Sequence, residues 1–173
     1  MHKDRFGALA RPLLGDLYRF ARRLERNDPV KAEDLLQQAL LRGLTNMEQL
    51  RKENAFRVWM CRILFRIHLN NRQKPTEDFA DPEVIPFPNG ADPHQKLVAK
   101  RIGDTLLGAL DELPEKQRDA VWLVDGQGFK YAEVADILDI SPGTAASRVA
   151  RGRETLRTNR TLRAMAQDQG VIS

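Results

Sequence analysis

Thr144 stands three and four residues before Ser147 and Arg148, and Arg151 four and three after them, so on a helix the four share one outward face. Short polar groups and an arginine fork on a narrow rod are what reading a duplex major groove requires. Arg148, Arg151, Arg153, Arg157, Arg160 and Arg163 are balanced over this stretch by a single acid, Glu154, and such charge suits phosphates. Ala146 and Ala150 are too short to reach a base edge, whereas Arg151 can take guanine O6 and N7 together. Arg157, further along, suits a phosphate. The same residues also suit an αα-hairpin with a solvated basic face, the usual fate of a charge run. Taken alone, they leave both open.

A second cluster lies upstream. Phe56 and Trp59 are interleaved with Arg57, Arg62, Arg66, Arg72 and Lys74. Aromatic groups among cations fit single-stranded nucleic acid, where bases stack and phosphates are neutralised. Phe56 reads as core, and Trp59 can serve both roles. No glycine-rich phosphate loop, Ser-His-Asp set or buried carboxylate pair is present, and His68 and His94 lack co-ligands at metal spacing. Neither an enzyme nor a metal or cofactor site is expected.

These residues need helices to hold them. The stretch 8–26 predicts a first helix, with Leu13, Leu14, Leu17, Phe20, Ala21 and Leu24 inward, and Asn27-Asp28-Pro29 ends it. A second helix is predicted over 30–44, burying Ala32, Leu35, Leu36, Ala39, Leu40 and Gly43. Its other face offers Asp34, Gln37, Gln38, Leu41 and Arg42, and an apolar Leu41 among polar groups points to a protein contact. A loop over 45–54 leads to a third helix over 55–72. Further on, a helix over 97–110 precedes one that begins at Leu113-Pro114-Glu115 and carries Val121, Trp122, Leu123 and Val124 inward. Gly126 and Gly128 end it. Val134, Ile137 and Leu138 then mark a short helix, Asp139-Ile140-Ser141 a turn, and Pro142 opens the basic helix with Val149 and Leu156 inward.

Charge divides the chain into three. Residues 1–74 carry a net +8, 75–95 a net −5 with no Lys or Arg, and 96–173 a net +1. The acidic middle holds five prolines, so a flexible linker is expected between two small all-α domains, with Val84, Ile85 and Phe87 as a short docking spot. Cys61 is the only cysteine and excludes an internal disulfide, which fits the cytoplasm. No apolar run approaches a membrane span and no signal-peptide pattern opens the chain, so no membrane insertion is expected.

Three stretches, AEDLLQQALLRGL (32–44), FRVWMCRI (56–63) and LDELPEKQRDAVWLVDGQGFKYAEVADILDISPGTAASRVARGRETLR (110–157), together resemble an extracytoplasmic-function (ECF) sigma factor of bacterial RNA polymerase. The resemblance covers most of the chain in the family's order. It implies a sigma2-like domain (1–74), an acidic linker (75–95) and a sigma4-like helix-turn-helix domain (96–173). By the same resemblance, Asp34, Leu35, Gln37, Gln38, Leu41 and Arg42 dock on the β′ coiled coil of core RNA polymerase, the β flap being a further contact. Leu50, Arg51, Lys52 and Asn54, with Trp59, Arg62 and Arg66, face the −10 element, melting it and capturing a flipped base. Thr144, Ser147, Arg148, Arg151, Arg153 and Arg157 face the −35 element in duplex. An anti-sigma factor is the expected inhibitor.

Four positions depart from the family's habit. Gln38 stands where an acid is usual in the docking helix, and Arg66 where many relatives have asparagine. The recognition helix reads GTAASR in place of GTVKSR, and Arg51-Lys52-Glu53-Asn54 replaces a smaller loop. Two other classes of function remain conceivable on these residues: a decoy that binds an anti-sigma protein, and a plain helix-turn-helix repressor. The retained arginines and the +8 first domain argue against the first; the second leaves that domain unexplained.

Overall fold

A computed structural model describes residues 2–73 and 93–170. The described residues form helices and no strands: α1 (His2–Ala10), α2 (Leu14–Leu24), α3 (Pro29–Thr45), α4 (Phe56–Arg72), α5 (Pro93–Asp111), α6 (Glu115–Val121), α7 (Tyr131–Leu138), α8 (Pro142–Thr158) and α9 (Arg160–Asp168). The expected linker, with Val84, Ile85 and Phe87, lies outside the described residues except for 93–95, which open α5.

The described residues fall into two compact units, 2–73 with 130–141, and 93–129 with 142–170. In the first, the single helix expected over 8–26 is two helices. Pro12 has no N–H to continue the α1 ladder, and a 3-10 turn over Arg11–Leu13 separates α1 from α2. Arg26 and Asn27 then take left-handed φ values of 52° and 65°, which turn the chain sharply into α3. Asp28 caps α3, its carboxylate accepting from the Val30 and Lys31 amides at 3.1 and 3.2 Å, with Pro29 at the first position. Such a cap contributes about 1 kcal/mol.

Helix α3 buries Ala32, Leu35, Leu36, Ala39 and Gly43, a stripe of helical period. Its small residues let α4 lie close: a β-carbon on Gly43 would stand 2.6 Å from Met60 Sδ and 3.0 Å from Phe6 Cε2. Helix α4 answers with Phe56, Met60, Cys61, Leu64, Phe65 and Ile67, all buried, and Phe6 meets Phe56 edge-on with centroids 5.5 Å apart. A fully buried residue of this kind contributes about 1.5–3 kcal/mol. His68, also buried, joins the Glu25 carboxylate at 2.7 Å and ties α4 to the end of α2. Helix α7 packs on α4 within the same unit.

In the second unit, α6 and α8 pack together, and α5 meets α6 and α9. After Val121 the helix widens into a single π-turn, Trp122–Gly126, where the Gln127 amide reaches the Trp122 carbonyl at 3.0 Å. Gly128, at φ +73°, then takes a conformation that side chains disfavour and ends the element. Asn159 separates α8 from α9; its side chain accepts from the Leu162 amide and donates to Glu112 Oε2 at 2.8 Å.

Candidate nucleic-acid interface

Two stripes on neighbouring helices build a cleft of about 390 Å³ in the first unit. Arg42, Asn46 and Gln49 come at i, i+4 and i+7 from the end of α3 and the 3-10 turn behind it. Trp59, Arg62, Ile63 and Arg66 come at i, i+3, i+4 and i+7 along α4 and form the facing wall. Met47 and Leu50, on either side of Gln49 in sequence, are both buried. Glu53 holds the following loop to α1 through Arg5, Oε1 to Nε at 2.7 Å.

Three of the residues expected at the −10 element, Trp59, Arg62 and Arg66, therefore meet in one concave site. Arg51, Lys52 and Asn54 are exposed on the loop but do not line it. Leu50 is only 7% exposed, so its side chain anchors the loop and offers no contact surface. Arg42, read from sequence as a docking residue, lines the cleft as well. Asn46, Gln49 and Ile63 were missed. Their shared spacing with Arg42 and with Trp59 was the available signal, but two stripes say nothing until they face each other.

The adjoining flank of α3 carries the remaining residues expected to meet polymerase, and Arg42 and Asn46 border the hollows on both flanks. Asp34, Gln37 and Leu41 are exposed, Leu41 to 67%. Gln38 donates to Asp34 Oδ2 at 2.6 Å, and its own oxygen accepts from Asn71 at 3.4 Å. Beside Leu41 runs a groove of about 350 Å³ that Ile67, Asn70 and Asn71 complete from α4. Leu35 does not belong to this surface. At 1% exposure it is core, facing inward on the same stripe as Ala32 and Ala39.

On α8, Ala145, Val149 and Gly152 are buried and fix the helix's rotation. Ser147 and Arg151 are thereby exposed, and Thr144 and Arg148 are half-buried. Ser147 donates to the Thr144 carbonyl at 3.0 Å. Among the described residues Arg148 and Arg151 have no ion-pair partner. Arg157 pairs with Glu154 at 2.6 Å, one turn back. Arg153 stands on another flank, 200° around the helix from Arg151 at ~100° per residue, and holds Asp125. The absent methyl and cation of the GTAASR sequence now have a place: Ala145 is fully enclosed, where a small side chain fits, and Ala146 is half-buried.

Comparison with known proteins gives concordant matches. The family model Sigma-70 region 2 matches residues 9–73, and Sigma-70, region 4 matches residues 104–156. The ECF RNA polymerase sigma factor EcfG of Rhodopseudomonas palustris (strain TIE-1) is 34% identical over 132 residues, covering 73% of this chain and 69% of that protein. ECF RNA polymerase sigma factor SigE of Mycolicibacterium smegmatis is 34% identical over 145 residues, covering 82% of this chain and 56% of that protein. Among solved structures, the sigma factor RpoE in its co-crystal with the anti-sigma factor NepR from Bartonella quintana superposes with a TM-score of 0.64. Its identity is 26%, covering 88% of this chain and 94% of that one.

Proposed function

The chain belongs to the ECF RNA polymerase sigma factors, and from that premise we propose that it binds core polymerase and directs promoter-specific initiation. In this reading 1–74 docks on polymerase and opens the −10 element, 75–95 is a tether, and 96–173 reads the −35 element. The protein works in the cytoplasm, and among the described residues no helix is long and apolar enough to cross a membrane. An anti-sigma factor holds it inactive, a partner that the Bartonella relative has in its crystal.

The observation that carries the proposal is the cleft where Trp59, Arg62 and Arg66 meet Arg42. Opening a duplex leaves unstacked bases and closely spaced phosphates. Unstacking costs a few kcal/mol, which an aromatic wall and unpaired guanidiniums can offset. Leu41 supplies an apolar contact for polymerase, beside a groove where Gln38, Asn70 and Asn71 offer hydrogen bonds, and exposed Asp34 and Gln37 lie on the same helix. Thr144, Ser147, Arg148 and Arg151 supply the duplex contact, with Arg157 on phosphate.

The test adds the chain to core polymerase on a supercoiled promoter library and sequences the transcripts. Initiation from a subset of templates sharing two short motifs is the expected result. Stable binding to core polymerase with no transcript from any template would overturn it in favour of a decoy. No transcript with core polymerase alone, together with lower transcription when the chain is added to polymerase already carrying a primary sigma factor, would overturn it in favour of a repressor.

A further inference from the structure

Residues 51–55 are exposed one after another, between two buried anchors, Leu50 and Phe56. Leu50 and Lys52 are extended, and a 3-10 turn over Glu53–Ala55 leads into α4. Among the described residues, this run has one side-chain hydrogen bond or ion pair. Arg5 Nε donates to Glu53 Oε1 at 2.7 Å, across 48 residues of sequence. The cation at the far end is itself anchored. Phe6, beside it in sequence, is buried, and its ring meets Phe56 edge-on at 5.5 Å. Phe6 Cε2 also lies 3.0 Å from where a β-carbon on Gly43 would stand. Phe56 opens α4 directly behind the tethered turn, so Arg5 reaches the loop from a helix docked on the α3–α4 pair. Glu53 is the only acid in 50–55, and it adjoins Arg51-Lys52. With Glu53 engaged by a cation from outside the loop, Arg51 and Lys52 have no ion-pair partner among the described residues.

We propose that Arg5 is a positioning residue for promoter opening: by holding Glu53 it pre-forms the loop that presents Arg51, Lys52 and Asn54. The proposal rests on reading that loop as a −10 contact. Five exposed residues without a tether would have to be ordered when DNA binds, and that ordering weakens binding. A loop already fixed from α1 avoids the loss. The tether also removes a competitor. A released Glu53 carboxylate, one and two residues from Lys52 and Arg51, would pair with them against the phosphates they are to meet. Arg5 itself need not touch DNA. Its action passes through Glu53, and Phe6 keeps α1 in the place from which Arg5 can reach it.

Opening is followed with core polymerase and the chain on the most strongly transcribed template of the library, from the permanganate reactivity of unpaired thymines over time. Arg5→Ala removes a positive charge and Glu53→Ala a negative one. Were charge alone at work, the two would change opening in opposite directions. Positioning predicts one direction: each variant slows opening about three- to fivefold, the range of an exposed ion pair. The double variant slows it no further than either single one. Exchanging the partners, Arg5→Glu with Glu53→Arg, restores most of the rate. Competition for core polymerase stays at the wild-type level, which a general loss of fold would lower. Opposite effects of the two single variants, additive effects, or no effect of Arg5→Ala overturns positioning and leaves the −10 reading of the loop intact. Wild-type opening by Arg51→Ala with Lys52→Ala, or a wild-type chain that opens no template, overturns that reading, and the inference with it.

Discussion

Arg153 grips Asp125 through two hydrogen bonds, Nε to Oδ2 at 2.9 Å and Nη2 to Oδ1 at 2.6 Å. The pair spans 28 residues of sequence and ties α8 to the π-turn after α6. An arginine engaged in this way has surrendered the fork that base reading needs. Arg151, 200° away around the helix at ~100° per residue, has not.

The two arginines should therefore behave differently on duplex DNA. Arg151→Ala is expected to cost about 1–3 kcal/mol at a selected −35 site and to relax preference at one base pair. Arg153→Ala should leave base preference unchanged. Being an exposed pair, its loss should lower stability by about 0–1 kcal/mol. A binding series over single-base variants decides. A uniform loss across all variants for Arg151→Ala would reduce that residue to a phosphate contact.

Leu41 is the exposed apolar residue on the face of α3 proposed to dock on polymerase. Leu41→Asp puts a charge where an apolar contact is proposed, so core polymerase should bind at least ~10-fold more weakly, about 1.4 kcal/mol. Helix content and −35 duplex binding should not change. Unaltered competition against wild type for core polymerase would remove Leu41 from the docking surface.

Gly152 lies flush against Val121. A β-carbon there would stand 2.5 Å from Val121 Cγ2, and Val121 is itself buried. Gly152→Ala gains about 1 kcal/mol of helix propensity. The clash with a stiff β-branched side chain should cost about 1–3 kcal/mol. The expected net result is a lower midpoint in thermal melting. A raised midpoint would mean that α6 can shift to make room.

Burial pushes the Cys61 thiol from 9.0 up to about 12, outweighing the opposing pull of the Arg57 charge; Asp16 adds to the rise. The folded protein keeps that proton when the unfolded chain has lost it. Its contribution to stability is whole below pH 9 and is lost as pH rises toward about 12. Native protein should resist iodoacetamide at pH 8 and react fully once unfolded, which mass spectrometry would read. Rapid native labelling would show that α4 opens locally.

The sequence by itself determined most of the helices and where they stop. Helix periodicity, caps and breakers act over a few residues, so Asp28-Pro29, Gly128 and the turn at Asp139 were legible without any neighbour. The outward face of Thr144, Ser147 and Arg151 was legible for the same reason. Even locally there was a limit: Pro12 splits a helix that hydrophobic spacing alone would continue.

Only the tertiary structure decided which stripes meet. Leu35 and Leu41 sit on the same helix, yet one is core and the other exposed, because α2 and α4 together cover one side of α3 and leave the rest open. Leu50 looks like a loop contact in sequence and is an anchor in space. Arg42 and Arg66, 24 residues apart, become one cationic site because Gly43 lets α4 approach. Arg153 is withdrawn from its neighbours by Asp125 on the π-turn after α6. A helical repeat fixes direction about its own axis only. The partner across the gap is chosen by packing between segments distant in the chain, through close contacts that no local pattern encodes.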